Sequence, residues 1–261
     1  MQLAGKRILI TRPAGRADDL CAAVSALHGI PVHIPLLDVA PLDSYEDVAI
    51  RTKTAAQIAA LAQYQRVIAI SVNAVHYGMQ WISAQHVPAS LPRTINWYGI
   101  GAATIAEFAN FKISARGGSA AMSSEALLAL PELNAVAGEN ILILRGIGGR
   151  ETLAAVLRER GANVEYAECY RRIAPQLDAA QQQQLQSTSF AAVCVNSAET
   201  LRNLTQIATA HALAQLQRSA LIVPSARVAE EAGTLGFLRV KTAANASTAA
   251  TLQALGELEP D

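Results

Sequence analysis

Ile-Leu-Ile-Thr-Arg at residues 8–12 returns as Ile-Leu-Ile-Leu-Arg at residues 141–145, and this repeated stretch decides the fold. A short aliphatic run that ends on a polar residue is typical of a buried strand. Further matches pair residues 20–24 with 153–157, 29–32 with 161–164, 69–73 with 193–197, 101–107 with 224–230 and 126–130 with 251–255. Their shared order indicates an internal duplication of about 130 residues, and therefore two similar units.

Short apolar runs alternate with segments of helical periodicity along the whole chain. Apolar residues recur at helical spacing in residues 20–27 and 153–157, and Gly29 and Gly161 follow where a helix end is expected. The predicted strands are residues 7–11, 31–36, 66–71, 94–98, 140–145, 163–167, 191–195 and 220–223. Continuously apolar strands are typical of parallel sheets that are covered on both faces, so the sequence predicts an α/β protein.

The composition excludes several classes of protein. With 51% hydrophobic residues among 261, the chain is too apolar to be disordered. Lysine and arginine number 21, as do aspartate and glutamate, so no global field attracts nucleic acid or anionic lipid. No apolar window reaches the length of a membrane span, and the first residues do not resemble a signal peptide. We therefore expect a cytoplasmic monomer without nucleic-acid or membrane partners.

The metal-binding residue types are scattered in the sequence. Cys21, Cys169 and Cys194 lie at long spacings, and no two of the five histidines are paired at ligand spacing. We expect three reduced, packed thiols and no metal site.

Small and polar residues follow the predicted strands, where ligands bind in open parallel sheets. Such residues let backbone N–H groups approach a ligand, cap the next helix and orient its positive end, while arginine matches carboxylates or phosphates. The candidate binding residues are Arg12, Pro13, Ser71, Asn73, Gly101, Thr104, Arg145, Gly146, Arg150, Ser197, Ser225 and Arg227. Together they predict a cleft for a polyanion between the two units. The alternative is that these residues serve only turn geometry and capping, with Arg12 and Arg145 as surface charges.

Two glycine-rich stretches resemble nucleotide-binding loops only in part. Residues 99–104, GIGAAT, lack the third glycine of a dinucleotide fingerprint, and residues 145–151, RGIGGRE, are also imperfect. Neither contains Gly-Lys-Ser/Thr, so a phosphate-binding P-loop is excluded, and a nicotinamide site is disfavoured. No Gly-x-Ser-x-Gly elbow supports nucleophilic catalysis.

Tyr170 differs from the other candidates. It ends a predicted strand, precedes Arg171-Arg172 and lies in one of two proline-bearing connections, residues 37–43 and 169–175. A phenol with an ordinary pKa near 10 can donate a proton at neutral pH. The alternative is a tyrosine that only packs at a hinge.

These residues resemble those of the uroporphyrinogen-III synthase family over nearly the whole chain. The matching segments are ILITRP (8–13), SVNAV (71–75), YGIGAAT (98–104), SSEALL (123–128), ILILRGIGGRETLA (141–154), CYRR (169–172), VPSARVAEEAGTLGF (223–237) and ANASTAATLQAL (244–255). One departure is Val195-Asn196-Ser197, where members of the family often carry Phe-Thr-Ser.

The resemblance implies two flavodoxin-like parallel-sheet α/β domains that are interleaved and joined by a two-stranded connector. One domain would comprise residues 1–37 and 173–261 and the other residues 40–168, with connectors at about 37–40 and 168–173.

The resemblance also implies a reaction, in which a linear tetrapyrrole, hydroxymethylbilane, loses water and closes to uroporphyrinogen III with its last pyrrole ring inverted. Tyr170 would assist departure of the hydroxyl, the candidate binding residues would hold the eight carboxylates, and no cofactor would be needed. Catalysis would consist mainly of positioning. We expect at most transient contacts with neighbouring enzymes of the tetrapyrrole pathway.

Two other function classes stay open. A non-catalytic two-lobed protein that binds a small anion fits the repeat and the expected cleft equally well. A nucleotide-dependent transferase is the third class, and nucleotide-induced thermal stabilisation would reveal it.

Overall fold

The computed structural model describes residues 3–43, 45–86, 91–117 and 124–258, without the side chains of residues 45, 210 and 211. Ser123, the first residue of one segment quoted above, lies outside these ranges. The chain forms two compact units. Unit 1 comprises Met1–Asp38 and Ile173–Asp261, and unit 2 comprises Val39–Arg172. In the described ranges no helix is long and apolar enough to cross a membrane.

Short strands and helices alternate in both units. The strands are β1 (Arg7–Ile10), β2 (Ile30–His33), β3 (Asp38–Pro41), β4 (Arg66–Ala69), β5 (Asn96–Gly99), β6 (Ala115–Arg116), β7 (Asn140–Gly146), β8 (Asn163–Ile173), β9 (Ala192–Cys194), β10 (Ala220–Val223) and β11 (Arg239–Thr242). The α-helices are α1 (Asp18–Ala26), α2 (Val48–Ala59), α3 (Val72–Gln85), α4 (Ala102–Asn110), α5 (Ser124–Leu128), α6 (Thr152–Glu159), α7 (Ala179–Ser187), α8 (Ala198–Ile207), α9 (Ala210–Leu216), α10 (Ala226–Thr234) and α11 (Thr248–Gly256).

Five strands of each sheet follow the same spatial order. Unit 1 has the order β2-β1-β9-β10-β11, with parallel neighbours throughout, which is the flavodoxin-like arrangement of an open α/β sheet. The other sheet has the order β3-β8-β7-β4-β5-β6. Without β3, this sheet has the order β8-β7-β4-β5-β6. It matches unit 1 when β7 is compared with β1, β8 with β2, and β4, β5 and β6 with β9, β10 and β11. The predicted α/β class is confirmed, and the shared strand order supports the duplication predicted from the repeated stretch.

The strand pairing corrects the alignment of the repeats at two places. Leu9 and Leu142 are equivalent in the repeat, and they pair with Val193 and Val67, respectively. Val67 is therefore equivalent to Val193, and four residues later Ser71 is equivalent to Ser197 rather than to Val195. Gly101 is likewise equivalent to Ser225 rather than to Pro224, because each is the N-cap residue of the following helix. Sequence similarity between short apolar strands does not determine how the two repeats align, whereas backbone hydrogen bonds and helix caps do.

Each sheet is covered by apolar residues on both faces. In β1, Leu9 belongs to one buried cluster while Ile8 and Ile10 belong to another, as expected from the alternation of side chains along a strand. Unit 2 also has two clusters, with Leu142 in one and Ile141 in the other. This two-sided burial explains why the central strands are continuously apolar.

The two connections predicted from prolines are largely strands. Residues 37–43 contain β3, and β8 continues to Ile173, well past the predicted strand end at 167. These two strands are neighbours in the sheet. Tyr170 therefore lies within a strand and does not end one. At the end of α1, His28 rather than Gly29 adopts the left-handed conformation, with φ 60°, whereas Gly161 has it after α6, as predicted.

Candidate functional site

Tyr170 lies buried in unit 2 beside the start of α3. Its hydroxyl is 3.2 Å from Oγ of Ser71, and the phenol ring stacks on Tyr77 with ring centroids 5.3 Å apart. Ser71 is the N-cap of α3, and its Oγ accepts a hydrogen bond from the backbone N–H of Ala74. The two hydroxyls are therefore held together at the positive end of a helix, which favours developing negative charge.

Gly146 makes room for the Tyr170 ring. The register between β7 and β8 shifts here, so that Arg145 pairs with Glu168 and Gly146 with Tyr170. Such irregularities re-aim side chains and are common beside active sites. A Cβ atom on Gly146 would lie 2.7 Å from Cε2 and 2.8 Å from Cζ of Tyr170. The backbone N–H of Ile147 donates to the carbonyl of Tyr170 at 2.9 Å.

Arg145 binds the glycine-rich loop at 146–151, and its side chain is only 2% exposed. The Arg145 guanidinium donates to the carbonyl of Gly148, forms an ion pair with Glu151 at 3.3 Å and lies 4.4 Å from the centroid of the Tyr166 ring. Arg145 thus uses its planar donors inside unit 2, so the alternative of a surface charge is wrong.

Two charged residues of β8 also bind this loop. Glu168 accepts a hydrogen bond from the N–H of Gly148 at 3.1 Å, and Arg172 donates to the carbonyl of Ile147 at 3.1 Å. Glu168, Arg172 and Tyr77 were not among the predicted site residues. A signal existed for the two charged residues, because charged side chains within a strand of a covered sheet require partners. None existed for Tyr77, which lies on the face of a helix like many packed tyrosines.

The other predicted residues of unit 2 follow neighbouring strands at the same edge of its sheet. Asn73 lies half-buried on the first turn of α3, after β4. Gly101 is the N-cap of α4, after β5, and has φ 86°, which favours glycine. Thr104 is buried on the first turn of that helix. Arg150 is exposed in the glycine-rich loop. The structure therefore brings the predicted residues of this unit to one edge, because β7, β4 and β5 are adjacent.

Arg12 in unit 1 is also engaged within the protein. Its guanidinium donates to Thr248 Oγ1 at 2.9 Å, to the carbonyl of Ala246 at 2.8 Å and to Thr251 Oγ1 at 3.3 Å. It thereby fixes the chain that enters α11. Burial lowers the pKa of the Arg12 guanidinium. Its backbone carbonyl accepts a hydrogen bond from His33 Nε2 at 2.8 Å, with the proton placed on that nitrogen.

The remaining predicted residues of unit 1 lie at helix starts. Ser197 caps α8, and its Oγ accepts a hydrogen bond from the N–H of Thr200 at 3.1 Å. Asn196 accepts a hydrogen bond from the Thr200 hydroxyl at 2.8 Å, so this departure from the family pattern supports the cap. Ser225 precedes α10, and Arg227 is exposed on its first turn. Pro13 follows Arg12 and is partly exposed.

The buried cysteines lie near these sites but do not suit nucleophilic chemistry. Burial raises the pKa of the Cys169 thiol to about 12, and that of Cys194 to about 12 as well. Both stay neutral at pH 7 and pack as small apolar groups. Among the described residues, no cluster of three or more histidine, cysteine, aspartate or glutamate side chains could hold a metal ion.

Comparison with known proteins extends over almost the whole chain. The family model described as "Uroporphyrinogen-III synthase HemD" matches residues 4–253. The uroporphyrinogen-III synthase of Escherichia coli (strain K12) is 33% identical over 253 residues, which cover 95% of this chain and 99% of that protein. The protein of the same name from Salmonella typhimurium is 34% identical with the same coverage.

Solved structures support the fold. The crystal structure of uroporphyrinogen-III synthetase from Helicobacter pylori 26695 has a TM-score of 0.59 at 13% identity, covering 97% of this chain and 100% of that one. A mutant uroporphyrinogen III synthase from the extremely thermophilic bacterium Thermus thermophilus has a TM-score of 0.54 at 16% identity, with the same coverage. At these identities the likeness concerns the α/β fold alone.

Proposed function

The chain belongs to the uroporphyrinogen-III synthase family, and from this premise we propose that the edge of unit 2 around Tyr170 carries its chemistry. The activity is that of a lyase, which cyclises hydroxymethylbilane to uroporphyrinogen III with loss of water and inversion of the last pyrrole ring. The match over residues 4–253 supports this function, and it disfavours a non-catalytic anion-binding protein.

Tyr170 assists the departure of the substrate hydroxyl in this proposal. The phenol donates its proton as the C–O bond breaks, so that the hydroxyl leaves as water, and the electron-rich pyrrole stabilises the cation that remains. The last ring is then attacked at its substituted carbon, a spiro intermediate forms and reopens, and ring closure releases a proton that restores the phenol. The net change is the loss of one water molecule.

Ser71 supports this proton transfer. Its Oγ already accepts a hydrogen bond from the N–H of Ala74, and it lies 3.2 Å from the Tyr170 hydroxyl. When the phenol gives up its proton, the Ser71 hydroxyl can turn and donate to the phenolate oxygen. The ring stacked on Tyr77 and confined by Gly146 has little freedom to move away. These contacts are the observation on which the role of Tyr170 depends.

The substrate carboxylates meet backbone N–H groups and exposed guanidinium groups. We assign the holding of carboxylates to the helix starts at Ser71, Gly101, Ser197 and Ser225 and to the exposed Arg150 and Arg227. Arg12 and Arg145 act differently in this proposal. Their guanidinium groups fix the loops that enter α11 and α6, and so they position the groups that touch the substrate.

Units 1 and 2 are, in our proposal, the two interleaved domains that the family resemblance implies. We also place the enzyme in the cytoplasm, and the three free thiols support this because a reducing compartment preserves them. Transient contact with other enzymes of tetrapyrrole biosynthesis stays a prediction.

The decisive experiment resolves the product isomers. Hydroxymethylbilane closes without an enzyme to the uninverted type I isomer, so purified protein is incubated with it and the products are oxidised to porphyrins and separated by chromatography. We expect mainly the type III isomer, in proportion to added protein, with heat-inactivated protein as the control. Formation of type I alone would contradict the proposed function, and binding of hydroxymethylbilane without type III would support a binding protein instead.

A further inference from the structure

A cavity of about 580 Å³ lies in unit 2, at the start of β5 and the end of α4. Its volume is in the range of small-molecule sites. We call it the Trp97 cavity after the aromatic residue in its wall. Gly101 and the candidate functional site follow the opposite end of β5, so the cavity is a separate feature.

Part of the wall of the Trp97 cavity is apolar. Ile95, Trp97 and Ile113 line it and are themselves largely buried, while Phe111 is half-buried. The Trp97 ring packs edge-on against Phe108 with centroids 5.6 Å apart, which fixes its orientation. Rigid aromatic walls of this kind suit a flat ring system, because little side-chain entropy is lost on binding.

Two cations border this apolar wall. Arg93 and Lys112 line the cavity and are exposed, and no acidic residue belongs to the described lining. Charged groups beside an apolar wall select a ligand of opposite charge and fix its orientation.

Lys112 stands at a position where glycine would be favoured. Its φ is 59°, and the bonds from its N–H to Ala109 and from the N–H of Ile113 to Phe108 end α4 in a left-handed turn. A side chain at such a position costs conformational free energy. The chain nevertheless has a lysine here, and this exposed residue lines the cavity.

We propose that the Trp97 cavity binds an amphipathic anion, in which an aromatic ring system packs on the half-buried Phe111 beside Trp97 and a carboxylate or sulfonate pairs with Lys112 and Arg93. Ring burial supplies most of the affinity, and the two cations supply the preference for negative charge. The site lies apart from Tyr170 and does not depend on the function proposed above.

The test uses 8-anilinonaphthalene-1-sulfonate as the probe and the folded chain of 261 residues. Fluorescence titration measures its affinity, and NMR follows the two indole N–H signals. We expect saturable binding that shifts the Trp97 signal. The Trp81 signal should stay unchanged, since the Trp81 N–H donates to the carbonyl of Cys169. Binding that shifts Trp81 and spares Trp97, or no saturable binding, would overturn the proposal.

The variant Lys112→Gly separates the site from the fold. Because glycine fits a positive φ better, Lys112→Gly should unfold at the same or a higher temperature while it binds the sulfonate about fivefold or more weakly. Arg93→Ala should weaken binding in the same direction. His28→Gly is the matched control, since His28 has φ 60° at the end of α1, and it should leave the affinity unchanged.

A neutral probe completes the test. N-phenyl-1-naphthylamine has a similar ring system without the charge, and Lys112→Gly should change its affinity less than twofold. If Lys112→Gly and Arg93→Ala bind the sulfonate as tightly as the unaltered protein, the two cations do not recognise the anion and the proposal is wrong.

Discussion

Arg12 and Arg145 occupy equivalent positions at the ends of β1 and β7, and each guanidinium donates to a main-chain carbonyl of its own unit. Arg12 binds the carbonyl of Ala246, and Arg145 binds that of Gly148. The duplication has therefore kept an arginine that organises a loop at the carboxyl edge of each sheet, although the two loops differ. Arg12 and Arg145 therefore stabilise loops at the carboxyl edges of the sheets, whereas the exposed Arg150 and Arg227 can bind a ligand.

Arg145 and Arg150 should consequently give different phenotypes. Arg145→Ala removes the donor to the Gly148 carbonyl and the ion-pair partner of Glu151, and it leaves a cavity where the buried guanidinium was, so we expect the free energy of unfolding to fall by about 2–4 kcal/mol. Arg150→Ala should leave stability within about 0.5 kcal/mol and raise KM for hydroxymethylbilane by a modest factor. Urea denaturation and steady-state kinetics measure the two quantities. If Arg145→Ala kept its stability and raised only KM, Arg145 would be a substrate-binding residue.

Tyr170→Phe should lower kcat about 10- to 100-fold, because it removes the proposed proton donor while the ring keeps its stacking on Tyr77. The matched control is Tyr166→Phe, which removes a phenol hydroxyl from the same strand, one that donates to Glu151. Its kcat should change less than threefold. Both variants should show the native circular dichroism spectrum. Unchanged turnover in Tyr170→Phe would remove Tyr170 as the acid and favour the alternative of a packed hinge residue.

Gly146→Ala should impair catalysis by displacing the Tyr170 ring, since the added methyl group would lie 2.7 Å from Cε2. We expect kcat to fall about tenfold or more and the free energy of unfolding to drop by about 1–3 kcal/mol, as for overpacked cores. Gly233→Ala is the control, because its Cβ would meet nothing within 4 Å and alanine favours the helix. That variant should be as stable as the parent or slightly more so. A fully active Gly146→Ala would mean that the confinement of Tyr170 is unimportant.

The central strands could be predicted because the burial of a strand determines the residues within that strand. Residues of β1, β4, β7 and β10 are buried on both faces, and such burial requires the continuous aliphatic runs that the sequence displays. The order of those runs then indicated a duplication, and the duplication predicted two similar units. The register was not predictable in the same way, because one aliphatic residue resembles the next. Ser71 and Ser197 were thus matched incorrectly, although both cap the helix that follows.

The edge strands and the roles of individual side chains could not be predicted from the sequence, for a different reason. Strand β11 has the burial pattern of an edge, with both end residues exposed, so it carries no apolar run to detect. Strand β6 is only two residues long. The candidate site was located by its small residues, but no local pattern tells whether a guanidinium turns outward to a ligand or inward to a loop. The partners of Arg12 are more than 230 residues away along the chain.

Glu165 gives unit 2 a contribution to stability that depends on pH. Its carboxylate accepts hydrogen bonds of 2.8 Å from Gln57 Nε2 and from the Tyr64 hydroxyl, and the Gln57 bond is the main reason why the pKa of Glu165 is lowered. A lowered pKa in the folded state stabilises the protein above the unfolded value of about 4.3, and this stabilisation is lost as the pH falls through the folded value. Because Glu165 is exposed, the expected size is about 0.5–1 kcal/mol.

Glu165→Gln should therefore be less stable than the parent at pH 7, and the difference should shrink as the pH falls through the lowered pKa of Glu165, where the parent carboxylate takes up its proton. Urea denaturation at several pH values measures it. The same substitution in a Tyr64→Phe background removes one of the two donors beforehand, so the pH-dependent difference should be smaller there. A difference that is the same at every pH would show that shape and hydrogen bonding, rather than the charge of Glu165, stabilise this contact between α2 and β8.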